Sequence, residues 1–444
     1  MEEYIKKLLE QIRFQKAHNA IEDEIRLHIE EQIEANISAG MDKEIAEKKA
    51  IEDMGDPVDA GIALDKVHRP ELALGVIIIA LVATAIGIVV NVLLSIKRTS
   101  YYIEDAGRIT LNGSESYICN AILGIIVMII LYFIDYTTVA KYSKVAAIVV
   151  FASVFAGSIF GWSGAIIFLM VPLFAGILYK YRGQKYRALI GSFVWIIATG
   201  IIASRQDMGI RMIIIVICML IELTLAIKND WLKVPKISSL VTAWSLFTLF
   251  PIGLVWFLYK NRLMSLYQCE VVKSWFITDY DLDQRRRIIK GMRFIGSGIV
   301  SYTGGGFIST MPTSDCVRNF YGGEYVLSDM IALWGMLAAW GAVIVVAGLI
   351  VLGFVAATKT KNQLGVVMGS GCMMWLTMNA IFNVCFGLGV LKVNKQTFFP
   401  FLSARQLVAS YAILGIILSI YKYKNAYPKH IDIRIFKRLK KLES

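Results

Sequence analysis

Long apolar runs separated by short charged segments set the pattern of the chain after residue 72. The hydrocarbon core of a bilayer takes about 20 apolar residues in a helix. The chain supplies such runs at 73–96, 117–135, 144–161, 163–179, 188–204, 209–227, 238–259, 328–357, 363–391 and 406–422. The pattern predicts ten spanning helices, the third and fourth joined by a tight turn at Gly161-Trp162-Ser163. The stretch 291–308 is apolar but short, Gly-rich and flanked by Arg, so it reads as re-entrant or packed within a loop.

Residues 1–66 follow another rhythm, that of three short amphipathic helices. Glu3 to Ala17 places Tyr4, Ile5, Leu8, Leu9 and Ile12 on one face, and Ile21, Ile25, Ile29, Ile33 and Ile37 recur at every fourth position. Gly40 ends that second helix, Asp42 is the N-cap expected for the third, and Gly55-Asp56-Pro57 punctuates the chain after it. Three units follow: a helical head over 1–70, a membrane domain over 71–425 with a long loop at 260–327, and a basic tail over 426–444.

Composition sharpens this picture. Of 444 residues, 57% are hydrophobic and 18% charged, which excludes an ordinary soluble domain and predicts an all-α polytopic membrane protein with a small N-terminal three-helix domain. Residues 1–70 carry 17 acids and 10 bases, leaving a net +19 for the remainder. That charge collects in short loops, at Lys141 and Lys144, Lys180 to Arg187, Lys228 to Lys236, and Lys359 and Lys361, and in the tail from Lys422 to Lys441. With ten spans these segments share one side, so both termini are expected in the cytoplasm. The loop 260–327 then lies outside. It holds nine Lys and Arg, but its length exempts it from the charge rule. The chain opens on a charged amphipathic helix, so no signal peptide is expected. The basic charge belongs to membrane loops, and no nucleic-acid partner is expected. Cys119, Cys218, Cys269, Cys316, Cys372 and Cys385 show no metal spacing, nor do His18, His28 and His68. Cys269 and Cys316 share the long loop, where a bridge or free thiols both fit.

One segment carries candidate chemistry. Gly304-Gly305-Gly306 leads through Met311-Pro312-Thr313-Ser314 to Asp315, then to Gly322-Gly323-Glu324 and an apolar run. An acid at the mouth of a membrane helix, on a loop rich in Arg and Lys, fits a catalytic base facing a phosphate-bearing lipid, although local chemistry alone favours a helix cap.

Several polar interruptions occur in a telling order. Arg205-Gln206-Asp207-Met208-Gly209-Ile210 is similar to a "QPDLGT" motif, with Asp207 and Gly209 kept. Met311 to Leu327 resembles "LPE..TDFIFAVIGEEFGL": two residues are missing before Asp315, and Gly322, Glu324 and Leu327 fall in register after it. Asn379 and Asn383, followed by Pro400-Phe401-Leu402-Ser403, resemble a polar helix and its "LPF.S" sequel. Together these resemble the SEDS family (shape, elongation, division and sporulation) over residues 73–423, and the head resembles the permease prefix domain. The resemblance implies a peptidoglycan glycosyltransferase that polymerises lipid II, an undecaprenyl-linked precursor, at the outer face of the membrane. It implies Asp315 as the essential residue, with Glu324, Gly322, Asp207, Asn379 and Asn383 supporting it. Arg285, Arg286, Arg287, Lys290, Arg293 and Arg318 are candidates to hold the lipid diphosphate or, as a juxtamembrane patch, lipid headgroups. A class B penicillin-binding protein is the partner implied, the head is expected to bind a cytoplasmic partner, and no cofactor is expected, a divalent cation staying open. The chain departs from the family's "QPSE..K" in the fourth span: Pro172 is kept, but Leu173, Phe174 and Ile177 replace the Ser, Glu and Lys. Ser403-Ala404-Arg405-Gln406-Leu407 also lacks the glycines of "SYGGS". A non-catalytic scaffold of wall synthesis and a transporter of lipid-linked precursors therefore remain alternative readings.

Overall fold

The computed structural model describes residues 1–106, 112–160, 165–204, 210–262, 299–304, 307–312, 326–387 and 398–431. The head has four helices, one more than the sequence predicted: α1 (Glu2–Glu10), α2 (His18–Ser38), α3 (Lys43–Asp53) and α4 (Pro57–His68). The punctuation at Gly55-Asp56-Pro57 starts the fourth. Asp56 accepts from the Val58 amide at 2.9 Å, and Pro57 occupies the first turn, where a missing N–H costs nothing. Gly40, at φ 91, ends α2 as expected, whereas Asp42 stands at the N-cap of α3 without making a side-chain capping bond. Of the isoleucine stripe, Ile21 and Ile29 are buried and Ile37 is exposed. Arg13 fastens α4 to the segment after α1: its amide and guanidinium donate to the two Asp65 carboxyl oxygens at 2.7–3.0 Å. That guanidinium holds the Asp65 carboxyl below its usual value.

The membrane part comprises α5 (Leu74–Ala106), α6 (Asn112–Phe133), the short α7 (Tyr136–Lys141), α8 (Ser143–Phe160), α9 (Met170–Lys180, entered through a tighter turn at Ala165–Leu169), α10 (Tyr186–Ser204), α11 (Ile210–Lys228), α12 (Lys236–Lys260), α13 (Val326–Trp334), α14 (Met336–Thr358), α15 (Gln363–Gly387) and α16 (Leu407–Lys422). Each of the ten predicted spans coincides with an apolar helix. Six of them, among the described residues, are long and apolar enough to cross a membrane by themselves: parts of α5, α6, α10, α12, α14 and α15. The apolar stretches in α8, α9 and α16 are shorter, and α11 carries Arg211, Glu222 and Lys228. The chain is a multi-pass membrane protein. The predicted span 328–357 is broken at Gly335, whose φ of 88 separates α13 from α14.

The segment 291–308 is corrected in part. Residues 299–304 form a strand, β1 (Ile299–Gly304), paired antiparallel with β2 (Phe307–Pro312) in register from Ile299 opposite Pro312 to Gly304 opposite Phe307. Closely spaced Gly and alternating Ser and Thr favour such a hairpin over a re-entrant helix. Residues 291–298 lie outside those described.

The centre of the bundle is α16, buried from Leu407 to Ile420 apart from Val408, together with α9 and α15. Small residues set the spacing. Gly124 faces the Tyr411 ring, and a Cβ at Gly415 would stand 2.8 Å from the Met128 carbonyl oxygen, so α6 and α16 touch backbone to side chain. By contrast α12 packs mainly on α11 and shows Ile237, Leu249, Phe250, Ile252 and Trp256 outward.

The head docks on the segment that follows α16. Phe14 stacks on Tyr423 with ring centres 5.6 Å apart, Lys424 pairs with Glu71 at 2.6 Å, and Asn425 donates to the Val67 carbonyl at 2.9 Å. Farther on, Tyr427 bonds Asp135, the Pro428 carbonyl accepts from Asn362 at 2.7 Å, and the Ile431 amide donates to the Tyr179 hydroxyl at 2.8 Å. The first residues of the predicted basic tail are thus a packed brace between helix ends.

Candidate functional site

The candidate base Asp315 lies outside the described residues, as do Gly322, Glu324, Asp207, Arg285, Arg286, Arg287, Lys290, Arg293 and Arg318. What the structure places are the flanks of these motifs. Val326 and Leu327, which end the Asp315 motif, start α13 and are buried. They share one apolar cluster with Ala380 of α15, between Asn379 and Asn383, and with Phe399 and Leu402. Three separate stretches of sequence therefore meet at one place. The hairpin reaches it too, since β1 contacts α13.

Asn379 and Asn383 stand one turn apart on α15 and are both buried. The Asn379 amide donates to the Trp375 carbonyl at 2.8 Å, a bond within its own helix. That bond fixes the side chain without linking it to another element.

The turn at 398–404 is built more elaborately. Phe401 adopts φ 64, a left-handed conformation that costs a bulky residue of order 1–3 kcal/mol and must be held by its surroundings. The Ser403 amide donates to the Phe399 carbonyl and the Phe399 amide to the Ser403 hydroxyl, each at 3.0 Å. From α5, Asn91 donates to the Leu402 carbonyl at 3.0 Å. From α6, Tyr117 donates to the Phe401 carbonyl and Asn120 to the Ala404 carbonyl, the latter at 3.0 Å. Gly87 leaves the space that the Tyr117 hydroxyl fills. Polar groups in apolar spans settle on partners because an unmet donor has no water to turn to. Asn91, Tyr117 and Asn120 were not singled out in the sequence. The signal was there for both asparagines, polar residues inside the first two apolar runs.

The fourth span has no charged pair. Phe174 and Ile177 in α9 are fully buried core residues. The buried acid of this region is on another helix: Glu222 of α11, which packs against both α9 and α15. It was not singled out either, although an acid in the middle of an apolar run is a functional-site signal by itself. Among the described residues no three of His, Cys, Asp and Glu stand close enough to hold a metal ion.

No family model and no curated protein matches the chain. Solved structures do. One is a peptidoglycan synthase complex whose structure is described as coordinating polymerization and crosslinking, with a TM-score of 0.56 and 15% identity over 79% of this chain and 98% of that one. The rod shape determining protein RodA of Thermus thermophilus, and a point mutant of it, match with a TM-score of 0.51 and 12% identity over 79% of this chain and 97% of theirs. The membrane part thus has the fold of a SEDS-type polytopic protein. More particularly, it has the fold of RodA.

Proposed function

We propose that the chain is a SEDS-family glycosyltransferase that polymerises lipid II at the outer face of the bacterial cytoplasmic membrane, with both termini in the cytoplasm. One observation carries the reading. Within a RodA-like fold, the flanks of three motifs that resemble the family's own meet in a single cluster of Leu327, Ala380, Phe399 and Leu402. Asp315, twelve residues before Leu327 in the sequence, is the general base. It takes the proton of the acceptor sugar hydroxyl as that oxygen attacks the anomeric carbon of the donor. The bond from this carbon to the lipid diphosphate breaks, and the diphosphate leaves with the electron pair. Arg285, Arg286, Arg287, Lys290, Arg293 and Arg318 are the groups proposed to stabilise its charge. A class B penicillin-binding protein is the proposed partner, and the head binds a cytoplasmic partner of its own.

The test is mutational. Asp315→Asn should keep the protein in the membrane at normal level and lower glycan synthesis by roughly 10²-fold or more. Asp283→Asn, in the same loop but outside the motif, should do little. Removing Arg293 or Arg318 should weaken substrate use, and less so at high salt if the attraction acts at long range. Full activity in Asp315→Asn would reduce the carboxylate to a helix cap.

One observation favours a second reading. The apolar Phe174 and Ile177 fill the core of α9 where the resembling motif would bring an acid and a base. A scaffold that positions wall-synthesis enzymes without transferring sugars would keep the fold and dispense with that pair.

A further inference from the structure

Glu222 is the one buried side chain of the membrane core, among the described residues, with both carboxyl oxygens lacking any hydrogen-bond partner. It is fully buried, and its place is prepared for it. Opposite, on α15, stands Gly371, and a methyl group there would fall inside the Glu222 carboxyl. The acid thus lies in a notch that only glycine leaves open. Glu222 is six residues before the end of α11, about 9 Å along the helix, and Gly371 is eight residues into α15, about 12 Å. Both depths are counted from the end where the Trp231 indole donates to Gln363 at 2.7 Å. Aqueous solution is therefore about two helical turns away.

Its electrostatic neighbours are few. Cys218, one turn earlier on α11, and Cys372, next to Gly371 on α15, are buried thiols that feel the carboxyl. The other helices packed on α11 keep their charges at their ends: Lys180 of α9 donates to the Lys141 carbonyl, Arg187 opens α10 in an exposed position, and Lys236 of α12 pairs with Asp230. Among the described residues of these helices, no cation stands ready to neutralise an ionised Glu222. An unpaired carboxylate in this medium carries a heavy desolvation cost, whereas a carboxylic acid forfeits only its hydrogen bonds. Nor do the acid and the two thiols come close enough together to hold a metal ion.

We propose that Glu222 is a proton-binding site within the membrane domain, uncharged while α11 and α15 are packed and releasing its proton only as the two helices part. The ligand is the proton itself, exchanged with the aqueous phase beyond Trp231 and Gln363. The inference stands apart from the glycosyltransfer reading, since it concerns another place and survives if Asp315 proves inert.

The experiment uses the full chain in lipid nanodiscs. The infrared spectrum of the wild type at neutral pH should contain the carbonyl band of a protonated carboxylic acid, sensitive to deuterium exchange. The band should be lost in Glu222→Gln, which preserves size and hydrogen-bonding capacity, and shifted in Gly371→Ala, whose methyl group must displace the acid. Raising the pH should remove the band and open the thiols to maleimide. At the same alkaline pH, Cys218 and Cys372 should be alkylated several-fold faster in the wild type than in Glu222→Gln, as read by mass spectrometry. A neutral-pH spectrum without that band, or equal alkylation rates in the two proteins, would overturn the proposal.

Discussion

Two polar places inside the same bundle make opposite use of buried hydrogen-bonding groups. At the turn 398–404, Asn91, Tyr117 and Asn120 each donate to a backbone carbonyl, and the strained Phe401 is held in one conformation. At the contact of α11 with α15, Glu222 has two acceptor oxygens and nothing to meet them. Both sites are lodged by a glycine, Gly87 in the first and Gly371 in the second. The difference teaches what a buried polar group is for. Where every group is partnered, the network fixes a shape, here the shape packed beside Val326 and Leu327. Where none is, the group costs the resting fold stability, and the proton exchange proposed for Glu222 gives it a use when its surroundings change.

That contrast gives stability effects of opposite sign. The largest belongs to the turn. Removing both Asn91 and Tyr117 as donors (Asn91→Leu with Tyr117→Phe) leaves two buried carbonyls unmet and should lower stability by about 2 kcal/mol, read as an earlier midpoint of unfolding in mild detergent. Glu222→Met should act the other way, raising stability by about 1 kcal/mol, because an apolar side chain of similar size loses nothing on burial. A destabilised Glu222→Met protein would show that the carboxyl has a partner after all, and the comparison would collapse.

The head offers a milder version of the partnered case. The Asp65 carboxyl sits below its ordinary value because Arg13 bonds it, so its ionised form is favoured on folding. The stability it lends is fully present above the unfolded value near 4 and is lost as the pH falls through the lower folded value. Amide exchange in residues 1–68, corrected for its intrinsic pH dependence, should therefore quicken on acidification in the wild type. In Asp65→Asn it should already be quick at neutral pH. Smallest of all is the head's tether: Lys424→Ala removes a half-exposed pair with Glu71 and should cost under about 1 kcal/mol, seen as a slight rise in proteolysis near Pro70.

Much of the fold could be read from periodicity. Apolar runs of span length located the membrane helices, and the every-fourth isoleucines located α2. The misses have physical causes. Helix α4 was passed over because Gly55-Asp56-Pro57 reads equally as a loop or as a helix start, and its packing, with Gly61 against Leu8 and Asp65 bonded to Arg13, is a tertiary matter. Gly335 looked like one more small residue in an apolar run, since a glycine's sequence does not reveal its φ. The brace at 423–431 was hidden because Lys422 and Lys424 suggested solvent, while its contacts with Asp135, Tyr179 and Asn362 join residues 66 to 292 positions apart. At the candidate site, the sequence singled out the motif ending at Leu327, the Asn379 and Asn383 pair and Pro400 to Ser403, but did not show that their flanks meet in one cluster. It did not foretell the donors of α5 and α6, because no motif of their own announces them.

Polymerisation is the central claim, and it can be measured directly. Purified full-length protein in nanodiscs, alone and together with a class B penicillin-binding protein, is given lipid II and its products are separated by length. The account predicts glycan strands in at least one of the two conditions, and their disappearance in Asp315→Asn. Lipid II left unpolymerised by the wild type in both conditions would contradict it and leave the chain a scaffold with the fold of an enzyme.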